Sequence, residues 1–309
     1  MTYTNLVLEG AGSRIVAYSG ALETLSSMGQ LKSIQRVGGS SAGAIISVLL
    51  ALGFEPYEIK QEIENLDMTL FLDGGSCYTK NLIRLLRKLG WNPGEYFSEY
   101  MRKIIHERTG SPDTTFNDLL LHLKGRYPDP YVVISNIETR KPEICSQKHT
   151  PNLPIWIALR MSMAIPWVFT PVPYREHGLD GVYADGGITS NYPIRIFDKQ
   201  TYHGYTLGMV IEPMDQIDRY SNVDYYKRCK KLKGLVDYSK RVLKSASSYR
   251  KYREYHEYER TIYIDSIGYS ALDFDLTLED KHKLMDSGKK GVYTFFSRFN
   301  GEDDEYDTE

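Results

Sequence analysis

Val37-Gly38-Gly39-Ser40-Ser41-Ala42-Gly43-Ala44 is the stretch on which the reading of this 309-residue chain turns. Upstream, Ile34 to Val37 reads as a short buried strand. Downstream, Ala44-Ile45-Ile46-Ser47-Val48-Leu49-Leu50 reads as a buried helix. Between them the pattern Gly39-x-Ser41-x-Gly43 sets a serine on a strand-to-helix turn. The backbone folds back on itself there, so the positions two residues either side must be small. Such a turn lifts the hydroxyl out at the carboxyl edge of a sheet, and the helix amino end aims backbone N–H groups at any negative charge formed nearby. This is the geometry of a nucleophile elbow. The same five residues also occur as an ordinary Gly/Ser-rich turn, so the rest of the chain has to decide.

Composition sets the bounds. A chain of this length can bury a large core, with charged residues at 25% and apolar ones at 41%. A net charge of −2 argues against nucleic acid as a partner. Cys77, Cys145 and Cys229 are odd in number and far apart, which suggests no disulfide framework and fits a reducing compartment. The opening Met1-Thr2-Tyr3-Thr4-Asn5 has no basic n-region, and the apolar run after Ser41 is shorter than the roughly 20 residues a bilayer span takes. The expectation is a cytoplasmic protein, peripheral at membranes at most. No calcium loop or zinc spacing is present, so metal-independent chemistry without a cofactor is expected.

Outward from the elbow, Tyr3 to Glu9 reads as a strand broken by Gly10-Ala11-Gly12-Ser13-Arg14, followed by a helix with Ile15, Tyr18, Leu22 and Leu25 on one face and Gly29 as its cap. A dinucleotide-binding fingerprint would need a glycine where Ile15 stands, and an acid closing a second strand near Val37. The alternative is an oxyanion hole. Gly10 and Gly12 let the backbone turn its N–H groups to a point beside Ser41, where such donors contribute about 3–4 kcal/mol to an acyl-transfer transition state. Arg14 adds positive charge nearby. Further on, helices are expected over Pro56 to Leu66, Asn81 to Leu89 capped by Gly90, Glu95 to Arg108, Phe116 to Leu123 and from Pro154 through Ile157, Leu159 and Met161, ended by Pro166. Strands are expected near 3–9, 34–38, 131–135, 182–185, 206–212 and 261–265, with Glu143 to Ser146 paired to the third. Trp167 to Pro173 reads as an apolar loop. The fold class is one α/β domain, a mainly parallel sheet between helices.

Val182-Tyr183-Ala184-Asp185-Gly186-Gly187 is the second informative stretch. A strand ending in Asp and two glycines puts one carboxylate at a sheet edge with little bulk beside it, though an Asp-Gly turn reads the same way.

Together these pieces resemble the patatin-like phospholipases, a family of lipid acyl hydrolases. Leu6 to Arg14 with Ala17-Tyr18-Ser19-Gly20-Ala21-Leu22 looks like the family's oxyanion segment and its helix. Gly39 to Gly43 looks like its nucleophile motif and Asp185-Gly186-Gly187 like its acidic motif. Ala158 to Pro166 with Phe169, Asn191-Tyr192-Pro193, and Asp273 to Thr277 with a helix to Gly291 are also similar. The resemblance covers about residues 5 to 298, with Ala11 and Ile15 in place of glycines of the family pattern. It implies a three-layer sandwich over 1–298, leaving 299–309 as an acidic tail. It also implies a Ser41–Asp185 dyad that cleaves carboxylic esters of membrane lipids through an acyl-enzyme. The oxyanion hole would then involve Gly10, Ala11, Gly12 and Arg14, supported by Gly39, Gly43, Gly186 and Gly187.

Two other readings stay open on the sequence. The order Ser41, Asp185, His203 permits a Ser–Asp–His triad of the α/β-hydrolase kind, with His177 as a second histidine near the acid. A lipid-binding member without turnover is the other. Between Lys227 and Arg253 a dense run of Lys and Arg meets one acid, Asp237, and Leu232, Leu235, Val236, Val242, Leu243 and Ala246 keep helical spacing. This basic helix is expected either as a solvated surface or as a transient contact with anionic lipid.

Overall fold

The computed structural model describes residues 2–123, 126–199, 201–221 and 255–300. The expected basic helix over 227–253 lies outside them, as does the expected acidic tail 299–309 apart from its first two residues, which continue the last helix. Along the chain run β1 (Asn5–Leu8), α1 (Ile15–Ser27), β2 (Arg36–Ser40), α2 (Ala42–Ala51), α3 (Pro56–Asn65), α4 (Tyr78–Lys88), β3 (Gly90–Asn92), α5 (Glu95–Thr109), α6 (Phe116–Leu123), β4 (Asp129–Asn136) and β5 (Lys141–Cys145). There follow α7 (Ile155–Ser162), β6 (Trp167–Phe169), β7 (Val172–Tyr174), β8 (Gly181–Asp185), α8 (Gly187–Ser190), β9 (Thr206–Glu212), α9 (Met214–Ser221), α10 (Tyr255–Tyr258), β10 (Thr261–Asp265) and α11 (Leu278–Asn300).

An eight-stranded sheet organises these elements in the order β10-β9-β1-β2-β4-β8-β7, with β5 also on β4. The strands from β10 to β4 are parallel, and β8 and β5 run antiparallel to β4. The two-residue period of the strands sorts their side chains into two layers. Leu6, Leu8, Met209, Ile262 and Ile264 join α1, α2 and α11 in the main core, through residues such as Val16, Ile46 and Leu284. Val7 and Tyr131 point the other way, onto Ile194 and Phe197, while Val210 and Tyr263 meet Ile217 of α9. The central sheet is therefore covered on both faces, as the expected sandwich requires.

Each of the expected strands is present, and β5 pairs with β4 as anticipated. Three details differ. The apolar loop at Trp167–Pro173 contains β6 and β7, three-residue strands whose pairing to β3 and β8 is a tertiary effect that no local pattern announces. Helix α4 begins at Tyr78, and Leu89 rather than Gly90 takes the left-handed cap at φ 63°. Gly90 instead opens β3, pressed against the backbone of Phe169 and Thr170. The last helix runs past Gly291 to Asn300, and at that glycine it lies close on the Tyr263 carbonyl of β10.

Candidate active site

Ser41 leaves β2 with φ 51° and ψ −124°, a positive φ that non-glycine residues seldom adopt. The elbow is closed by contact between its flanking glycines, since a Cβ at Gly39 would be driven into the Gly43 carbonyl group. Gly43 in turn sits on the Leu8 carbonyl that ends β1 and on the Glu9 carbonyl after it.

Sheet register brings the acid to the serine. Ser40 pairs with Val133 on β4, so Ser41 comes level with Ile134, whose partner on β8 is Asp185. Both side chains are buried, Ser41 at 4% and Asp185 at 6% exposure. Asp185 Oδ1 accepts the Gly187 N–H at 2.7 Å, while Oδ2 finds no hydrogen-bond donor within range among the described residues. Burial lifts the Asp185 carboxyl from the ordinary 3.8 to about 6, and the neighbouring Ser41 hydroxyl and the Gly187 N–H pull the other way. The Ser41 hydroxyl is turned to Met163 Sδ at 3.5 Å. A thioether is a weak acceptor and a hydroxyl hydrogen rotates, so the same group can turn to the carboxylate.

Of the residues expected in the oxyanion hole, Gly10 lies against the serine, where a Cβ would stand 3.2 Å from Ser41 Cβ. Its N–H is taken by Asn191 O at 2.9 Å, and Ser13 N–H by Ala271 O at 3.0 Å. Ala11 and Gly12 N–H make no hydrogen bond among the described residues. Ala11 holds φ −125°, a conformation open to alanine, which explains why a glycine is dispensable there. Gly12 has φ 58° and abuts the Ala271 carbonyl, so there it is not. The Arg14 guanidinium donates to Ala11 O at 3.2 Å and braces the turn. Ile15 lines a narrow apolar cavity of about 30 Å³, together with Gly12, Ala42, Met163, Phe71 and Phe97.

Three contributors escape a reading of the sequence. Ser162 Oγ accepts the Ser41 N–H at 2.8 Å and donates to Val133 O at 2.7 Å. Ala164 O accepts the Asp185 N–H at 2.9 Å. The Asn191 amide donates to Glu9 Oε1 at 3.1 Å and Gly10 O at 3.2 Å, joining the segment after Asp185 to the glycine turn. All lie in stretches flagged by resemblance, but their roles depend on contacts across the fold. His203 stands just before β9, whose start pairs with the start of β1. In parallel strands that is the sheet edge opposite Ser41. His177 sits in the β7–β8 connection, bonded to the Tyr174 hydroxyl at 2.6 Å.

The family model for patatin-like phospholipases matches residues 6–198, from β1 through the elbow and past Asp185. The chain belongs to that family. This patatin-like chain is 28% identical over 293 residues to protein R571 of Acanthamoeba polyphaga mimivirus, covering 93% of this chain and 92% of that one. It is 31% identical over 206 residues to the probable lipid hydrolase 463L of Invertebrate iridescent virus 6, covering 65% and 64% of the two. Among solved structures it resembles VipD from Legionella pneumophila with a TM-score of 0.66, at 18% identity, over 96% of this chain and 67% of VipD. At that identity the likeness speaks for the fold alone, and family membership supports lipid hydrolysis as the activity.

Proposed function

We propose that the protein is a serine-dependent lipid acyl hydrolase of the phospholipase A or lysophospholipase type, working through Ser41 and Asp185. The observation that carries this reading is the buried Asp185, level with a strained serine, with one oxygen held by Gly187 and the Ser41 hydroxyl beside the carboxyl. Ser41 Oγ attacks the ester carbonyl and its proton passes to Asp185. The oxyanion is met by the Ala11 and Gly12 N–H groups. The C–O bond then breaks, and Asp185 returns the proton to the departing alcohol. Water repeats the sequence on the acyl-enzyme, which releases the fatty acid and restores Ser41. The apolar cavity beside Gly12 and Met163 offers the acyl chain a place away from water, once Phe71 and its neighbours move to widen it.

Hydrolysis of phospholipid vesicles and of a water-soluble monomeric ester tests the reading. Ser41→Ala and Asp185→Asn are each expected to lower the rate at least about a thousandfold with folding intact. His203→Ala is expected to leave it unchanged. A His203→Ala rate as low as that of Ser41→Ala would show a triad and overturn the dyad.

A further inference from the structure

Helix α4 packs inside out. A surface helix normally turns its apolar stripe to the core and its polar face to water. On α4 the one buried side chain is Asn81, whose amide donates to Gly75 O at 2.8 Å. Arg84, one turn on, donates to Asn81 Oδ1 at 2.8 Å and to Trp91 O at 2.7 Å. The helix is thus fastened by its polar side. Its apolar residues look outward, with Leu86 at 72%, Leu89 just past its end at 61% and Ile83 at 52% exposure. Trp167, 76% exposed, stands beside them, because β6 pairs Trp167 with Gly90 directly after Leu89.

Charge accompanies this face. From Gly74 to Gly94 the chain carries Lys80, Arg84, Arg87 and Lys88 and no Asp or Glu. Lys80, Arg87 and Lys88 are exposed, and among the described residues none has a carboxylate partner. The surface is also tied to the site. Ala164, whose carbonyl holds Asp185, is three residues from Trp167, and Phe71, just before exposed Leu72, lines the cavity.

We infer that α4, with Leu89 and Trp167, is the surface by which the protein docks on anionic lipid. Outward leucines and isoleucine enter the acyl boundary, Trp167 lies at headgroup level, and the unpaired cations meet lipid phosphates. A second copy of the chain fits this face poorly, since it would set the same basic residues against each other. The inference goes beyond the proposed chemistry, and its binding readout does not depend on turnover.

The test uses the full chain carrying Ser41→Ala, so that vesicles stay intact. It is sedimented with phosphatidylcholine vesicles with and without phosphatidylserine. Adding Leu82→Gln, Ile83→Gln and Leu86→Gln is expected to weaken binding to the anionic vesicles about tenfold or more. Adding Lys80→Gln, Arg87→Gln and Lys88→Gln instead is expected to abolish the preference for phosphatidylserine and its sensitivity to salt. Placed on intact Ser41, both sets are expected to leave hydrolysis of a soluble monomeric ester within about twofold of wild type. Vesicle binding unchanged by either set overturns the inference. So does binding lost only when Lys230, Lys231, Lys240 and Lys244 become Gln, which would move the contact to 227–253. Apolar substitutions that abolish self-association in sedimentation velocity but spare vesicle binding would assign the face to a second copy. If the unmodified protein hydrolyses no ester yet binds vesicles through α4, the proposed chemistry fails and the docking surface stands.

Discussion

Ser41 is held in a conformation that most side chains avoid, and such positions store on the order of 1–3 kcal/mol. The strain follows from the fold: β2 must end level with Asp185 and α2 must begin at once, pressed on β1 by Gly43. Replacing the serine therefore separates chemistry from strain. Ser41→Ala and Ser41→Gly are both expected to be inactive, but the glycine variant should be the more stable by about 1–2 kcal/mol in urea unfolding. Equal stabilities would mean that the turn is relaxed. At Asp185 the sign runs with burial. Its carboxyl binds a proton more tightly folded than unfolded, so this contribution favours folding below about pH 4. The contribution is lost as pH rises through about 6. Above that, the buried carboxylate opposes folding by about 2–3 kcal/mol, while in the proposed dyad its charged form is the one that accepts the serine proton. Wild type should thus gain activity through a pKa near 6 in kcat/KM, and should lose stability relative to Asp185→Asn between pH 4 and 8. A flat stability difference over that range would contradict the burial argument.

Elements explain which parts of this site were legible in the sequence. The two poles could be read because each depends on local chemistry: glycines two residues either side of Ser41, and a strand that ends in Asp and two glycines. The hub between them could not, because Ser162, Met163 and Ala164 act by facing β2, β4 and β8 from the end of α7. Nothing in their spacing tells a turn residue from a clamp. Helix α4 shows the same limit. Its periodicity announces an apolar stripe, yet whether that stripe faces the core is settled only by Asn81 and Arg84 finding partners around it. The α7 hub also makes a prediction. Ser162→Ala removes the acceptor of the Ser41 N–H and a donor to the Val133 carbonyl in a dry site, a loss of about 2 kcal/mol. With the elbow loosened, kcat on a soluble ester should fall while KM changes little, as steady-state kinetics would show. A change confined to KM would mean that Ser162 shapes binding and not the nucleophile.

At the scale of the whole molecule, the glycine turn beside Ser41 is positioned from the far side of the core. It opens α1, and α1 is held by α11, where two glycines interlock. A Cβ at Gly20 would be driven into the Met285 carbonyl, and one at Gly288 into the Ala17 carbonyl. The backbones therefore approach as closely as helices can, with Ile15 at the end of this contact lining the cavity. Gly20→Ala or Gly288→Ala should each cost about 1–3 kcal/mol of stability by overpacking. Each should also lower esterase activity, although neither residue touches the site, since α1 must shift to make room. The double variant decides whether the helices move as rigid bodies. If one added methyl lifts α1 from α11 along its length, the second fits into the gap already made, and the combined loss in urea unfolding falls short of the sum by more than about 0.5 kcal/mol. Strict additivity would mean that each clash is absorbed locally and α1 stays in place. In that case activity in both single variants should remain at the wild-type level.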